Sequence, residues 1–169
     1  MKRHILLAVT ALAAVAAVAA PSAFAEERKC KGALGAVTVD NLKVPKNATC
    51  TLNGTKVKGT IKVGRNATLI ATNVRVVGNV QAEDHTRVVL NGTTTKVGGS
   101  VQLVQGGSAV VNRVKVNGDV QFFENDGTIV VSNNRIGGNL QCKENDPDPT
   151  GGGNIVKGNA EDQCEGLEA

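Results

Sequence analysis

The sequence predicts an all-β, single-domain, right-handed parallel β-helix of about six rungs, and three observations carry that reading. The first is a phrase headed by glycine. It recurs as Gly59-Thr60-Ile61-Lys62-Val63, Gly78-Asn79-Val80-Gln81-Ala82, Gly99-Ser100-Val101-Gln102-Leu103, Gly118-Asp119-Val120-Gln121-Phe122, Gly138-Asn139-Leu140-Gln141-Cys142 and, degraded, Gly158-Asn159-Ala160-Glu161-Asp162. The intervals are 19, 21, 19, 20 and 20 residues. Units repeated at such a period cannot bury an apolar face alone and must stack on their neighbours. The second observation is the alternation of apolar and polar residues within each lap, the two-residue period of strands. The third is turn chemistry between the runs, as in Asn53-Gly54-Thr55, Asn91-Gly92-Thr93 and Asn125-Asp126-Gly127. A left-handed helix would need a strict hexapeptide grid, which the sequence lacks.

Taken in order, residues 1–25 read as a secretory signal: Lys2 and Arg3, an apolar run from Ile5 to Ala20, and a small-x-small cleavage site at Ala23-Phe24-Ala25. Its removal leaves no membrane span and a soluble, exported chain, secreted or held at the cell wall. Residues 26–39 form a lead-in and cap, mostly loop, with a partial first rung at Val37-Thr38-Val39. Residues 40–158 carry the β-helix repeats, and residues 159–169 form a C-terminal cap and tail.

Four columns of the repeats are expected to point inward. Two places before the glycines stand Val57, Val76, Val97, Val116, Ile136 and Val156, and two after stand Ile61, Val80, Val101, Val120, Leu140 and Ala160. Four after come Val63, Ala82, Leu103, Phe122 and Cys142, and nine before come Cys50, Leu69, Leu90, Ala109 and Ile129. Aliphatic layers of this kind need no large rings, and beyond the leader the only aromatic residues are Phe122 and Phe123. A sugar site built on stacked aromatic platforms is therefore not expected.

Charge is unevenly spread. From Glu26 to Gly118 there are 14 basic and 5 acidic residues, a balance of +9; from Asp119 to Ala169 there are 3 basic and 10 acidic, a balance of −7. A rod that climbs an axis is thereby polarised along it.

The cysteines are one lap apart in pairs, Cys30 with Cys50 and Cys142 with Cys164, at separations of 20 and 22 residues. Stacked residues meet the Cα spacing a disulfide requires, so these two bonds are predicted, each tying a terminal rung to its neighbour.

Two outward columns draw attention. Three places before successive glycines stand Lys56, Arg75, Lys96, Lys115 and Arg135, a ladder of cations that suits a linear polyanion. The plainer reading is a solvated face on which charge discourages edge pairing. Three places after the glycines, Gln81, Gln102, Gln121 and Gln141 follow Lys43 and Lys62 and precede Glu161. Their amides can bond to one another along the rod, a stiffening device that also presents a regular polar surface to a glycan.

No catalytic residues are assigned and no cofactor or metal is expected. His85, beside Glu83 and Asp84 in the lap with two extra residues, reads as a solvated corner rather than a metal ligand or acid–base pair. In the acidic segment from Cys142 to Asn154, Asn145, Asp146 and Asp148 offer oxygens suited to calcium, but a disulfide-anchored loop without metal is the expected state.

With these residues in view, the chain resembles a group of small secreted bacterial proteins, mostly actinobacterial. The likeness rests on Cys50-Thr51-Leu52-Asn53-Gly54-Thr55, the Gly-Asn-Val-Gln laps, and the ending from Gly138 through Pro149-Thr150-Gly151-Gly152-Gly153-Asn154 to Cys164. That resemblance implies no activity. The laps are also similar to those of bactofilins, polymer-forming β-helical proteins, from which the signal and the cysteine pairs depart. The expectation is a non-enzymatic structural or adhesive module at the cell envelope, its partner an anionic wall polymer rather than nucleic acid. The alternatives are head-to-tail self-association, in which the basic half of one copy meets the acidic half of the next, and, last, a glycan-active enzyme.

Overall fold

The structure is a computed structural model that describes residues 26–169. The signal assigned to residues 1–25 lies outside the described residues. The described chain is all strand and turn: 22 short strands wind into a parallel β-solenoid with three sheets, one of eight strands and two of seven. Each coil contributes one strand to each sheet in turn. The first sheet runs from Glu27–Lys29 to Ala160–Asp162, the second from Gly32–Leu34 to Thr150–Gly152, and the third from Thr38–Val39 to Ile155–Val156. Every pairing is parallel. Eight stacked strands make a rod about 34 Å long at ~4.8 Å per coil.

There are thus seven full coils rather than six. The segment expected as loop with a partial rung at Val37-Thr38-Val39, Glu26 to Val39, supplies a complete first coil, with Glu27–Lys29 on Asn41–Val44, Gly32–Leu34 on Thr49–Asn53 and Thr38–Val39 on Lys56–Val57. Its sequence hides this because a terminal coil has one face uncovered. Arg28 occupies the inward position above which Leu42 and Ile61 are buried. A charge at a core position also blocks further strand addition.

The core is a set of aliphatic stacks. Val57, Val76, Val97, Val116 and Ile136 line the third sheet; Ile61, Val80, Val101, Val120 and Leu140 line the first; Val63, Ala82, Leu103, Phe122 and Cys142 lie beside them, all buried. One column differs from expectation. Val88, not Leu90, stacks between Leu69 and Ala109, while Leu90 lies between Ala71 and Val111. The two extra residues of that lap sit after Asn91, in the corner Gly92-Thr93-Thr94-Thr95, where the preceding coil has only Asn73-Val74. A count backward from Gly99 passes through that insertion and slips by two, which preserves the inward parity but shifts the column.

The structure joins Cys30 to Cys50 and Cys142 to Cys164, with Cα separations of 5.6 and 5.3 Å. The first bond pins the opening coil, and the second ties the C-terminal turn over the last one. There Asn154 N–H donates to Leu167 O at 3.3 Å and Ala169 N–H to Asn154 O at 2.9 Å, closing part of the end.

Candidate functional site

The third sheet is narrow, with two-residue strands whose second residue is buried and whose first is exposed. That parity puts Lys56, Arg75, Lys96, Lys115 and Arg135 on one outer column, in register from coil to coil. Thr38 and Ile155 stand at its ends. The ion pairs of the described residues are Lys43–Glu27, Lys58–Asp40, Arg65–Asp84 and Lys143–Glu144, so none of the five engages a carboxylate. Beside the column runs a shallow track over Val77, Gly98, Asn117 and Gly137. Its floor is low because the chains approach closely there: a Cβ on Gly98 would overlap Val77 O, and one on Gly137 would overlap Asn117 O. At the foot of the face Lys58 Nζ lies 2.9 Å from Asp40, which holds that carboxyl below its usual pKa through hydrogen bond and charge.

The glutamines form a continuous one-way chain on the first sheet. Gln81 Nε2 donates to Gln102 Oε1 at 2.9 Å, Gln102 to Gln121 at 2.8 Å, Gln121 to Gln141 at 2.8 Å, and Gln141 to Glu161 Oε2 at 2.7 Å. The ends suit the direction. Glu161 is an acceptor without donors, and Lys62, stacked below Gln81, is a donor without acceptors.

A second ladder, not anticipated from the sequence, explains the repeated glycine. The residue after each one is short and polar, and its side chain accepts the backbone N–H of the equivalent residue one coil on. Thr60 N–H donates to Asn41 Oδ1 at 3.0 Å, Ser100 N–H to Asn79 Oδ1 at 2.8 Å, Asp119 N–H to Ser100 Oγ at 3.1 Å, and Asn139 N–H to Asp119 Oδ1 at 2.8 Å. The glycine of the upper coil lies directly over that acceptor. A Cβ on Gly59, Gly99 or Gly138 would overlap Asn41, Asn79 or Asp119 Oδ1 respectively. The succession Thr60, Asn79, Ser100, Asp119, Asn139, Asn159 was the available signal.

The remaining two corners change chemistry along the rod. Between the second and third sheets, buried Thr55, Val74, Thr95 and Val114 give way to Asn134 and Asn154. Asn134 Nδ2 reaches Val111 O at 2.8 Å and Asn154 Oδ1 at 2.9 Å. Between the first and second sheets, Ala48 and Ala67 give way to His85, then to Asn125 and Asn145. Asn125 Nδ2 donates to Leu103 O at 3.0 Å, and Asn145 Nδ2 to Phe122 O at 2.9 Å.

One expectation is corrected here, and one candidate ligand is withdrawn. His85 is not a solvated corner: it is 2% exposed, packed beneath Gly106, and both ring nitrogens lack a hydrogen-bond partner. Burial lowers its pKa to about 4, against the opposing pull of Asp126. Asn145 is buried too, and its Oδ1 accepts from Asn125 N–H at 3.1 Å. It turns into the rod and does not join exposed Asp146 and Asp148 in a cation-binding loop.

Carboxylates gather at this same corner, on Asp84, Glu124, Asp126, Glu144, Asp146 and Asp148, the edge opposite the third sheet. Lys46 and Arg65 occupy the lower coils of that edge, so charge is separated across the rod in its upper coils as well as along it. Against known protein families, curated proteins and solved structures the chain shows no significant match.

Proposed function

We propose that the protein is a non-enzymatic, exported structural or adhesive module that holds an anionic cell-envelope polymer along its third sheet. The observation that carries the reading is the column of five exposed, in-register cations without carboxylate partners. Like charges stacked at the ~4.8 Å strand spacing repel one another, and a linear polyanion laid along the axis relieves that repulsion. Two disulfides suit an oxidising, extracellular setting, as does the leader-like start of the sequence.

Retention on immobilised teichoic acid tests this. Binding through five cations should weaken with salt at a log–log slope of about −3.5, taking ~0.7 per phosphate contact as for single strands. Replacing Lys96, Lys115 and Arg135 by Gln should shallow that slope by about 2. Unchanged retention of the triple variant removes the reading.

Head-to-tail association is favoured by one observation: the first sheet's outer column begins at Lys29 and ends at Glu161, complementary charges that can meet end to end without strand pairing past Arg28. A monomer in low-salt sedimentation would sink it.

A further inference from the structure

The outer face of the first sheet carries a groove with two unlike walls. One wall is the amide ladder. A primary amide has two N–H donors and an oxygen with two lone pairs, and the ladder engages one of each. Gln102 and Gln121, both half-buried, are each left with one donor and one acceptor, and half-buried Gln81, which accepts from no other glutamine, with one donor and its whole oxygen, repeated every ~4.8 Å. The other wall lies two residues further along each strand, where Glu83, Val104, Phe123 and Lys143 stand in register. Val104 and half-buried Phe123 give it an aliphatic and aromatic surface at mid-rod. Between the walls is a depression of about 470 Å³, with Lys62 and Glu83 its only charged lining residues.

A sugar chain presents the same two chemistries. Its equatorial hydroxyls both donate and accept, and its axial C–H faces are apolar and pack on an aromatic ring. A β-1,4-linked hexose chain advances roughly one coil spacing per sugar, so each amide faces one sugar, with alternate sugars turned over. An extended peptide does not fit this repeat, because its backbone groups recur at about 3.3 Å per residue. An anionic polymer gains little here, since Lys62 and Glu83 offset each other in the groove and the five-cation column projects from a different sheet.

We propose that the groove between the Gln81–Gln121 ladder and the Val104–Phe123 pair binds an uncharged β-linked polysaccharide chain laid along the rod axis. The site is separate from the cationic column, and the two faces meet only across the glycine corner.

Affinity electrophoresis of the protein through gels containing hydroxyethyl cellulose is the test. The expected result is retardation that persists at high salt, since no ion pairs are involved. Phe123→Ala and Val104→Asp, both at outward positions, should each weaken it about tenfold while leaving the thermal unfolding midpoint close to that of the unaltered protein. The Lys96→Gln/Lys115→Gln/Arg135→Gln variant should be retarded as strongly as the unaltered protein, and Phe123→Ala should still bind teichoic acid. Absence of retardation overturns the proposal, as does retardation that neither groove variant weakens. Loss of retardation in the cation variant also overturns it, by moving the glycan to the other face.

Discussion

At the scale of single residues, His85 is the one buried side chain, among those described, whose polar atoms find no partner. Asn125 and Asn145 solve the same corner by reaching a carbonyl of the coil below, whereas the imidazole is simply enclosed beneath Gly106. The charged groups around it are Arg65, Asp84 and Asp126, and none bonds to the ring. Because the folded pKa is lowered, the fold favours the neutral ring. Its stability is full above the unfolded pKa of 6.5 and falls as pH drops through that value towards about 4. The loss reaches about 3 kcal/mol at the lower end. His85→Phe keeps a ring in the corner and removes the titration. Denaturant unfolding at neutral and at acid pH should show the variant losing less stability than the original chain. Equal losses would show that the carboxylates, not His85, set the acid limit.

At the scale of the element, the unit is one coil and its glycine corner. Gly98 and Gly99 are both closely overlain, but by different obstacles: backbone Val77 O for the first, the side-chain oxygen of Asn79 for the second. Gly98→Ala must displace a strand, and Gly99→Ala only an amide that then gives up the Ser100 N–H. Both should destabilise by about 1–3 kcal/mol, Gly98→Ala the more. Asn79→Ala should relieve much of the Gly99→Ala cost and none of the Gly98→Ala cost, a contrast that a double-mutant cycle in denaturant reads directly. Equal coupling at the two sites would contradict the geometry. The repeat, its strand parity and the outward cation and glutamine columns were legible in the sequence, because a two-residue period assigns a face to every residue of a strand. The corners were less so. A polar residue at a turn looks solvated, yet Asn125, Asn134, Asn145 and Asn154 are buried, since a corner that stacks on another corner becomes interior. The insertion after Asn91 was invisible for a related reason: a period fixes the length of a lap but not where within it the extra residues bulge.

At the scale of the whole molecule, the strands and the glycine corner of each coil offer the next the same kinds of acceptor and receive the same kinds of donor, which leaves the number of coils free wherever the other two corners also match. Removal of residues 118–137 would set Gly138 over Gly99, Asn139 over Ser100, Gln141 over Gln102 and Asn145 over Gly106, each a neighbour of a kind the rod already uses. That chain should unfold cooperatively, measure about 4.8 Å shorter by solution scattering, and bind teichoic acid with a salt slope about 0.7 shallower for the loss of Arg135. Removal of residues 99–117 instead would bring Asn125 over His85, where only a glycine now fits. It should fold poorly, and equal behaviour of the two deletions would show that the corners do not choose their neighbours. Because the coils are alike in length and in their glycine corner, the reach of such a rod is set in whole steps of one coil, and tight junctions such as Gly106 over His85 restrict which coil can follow which.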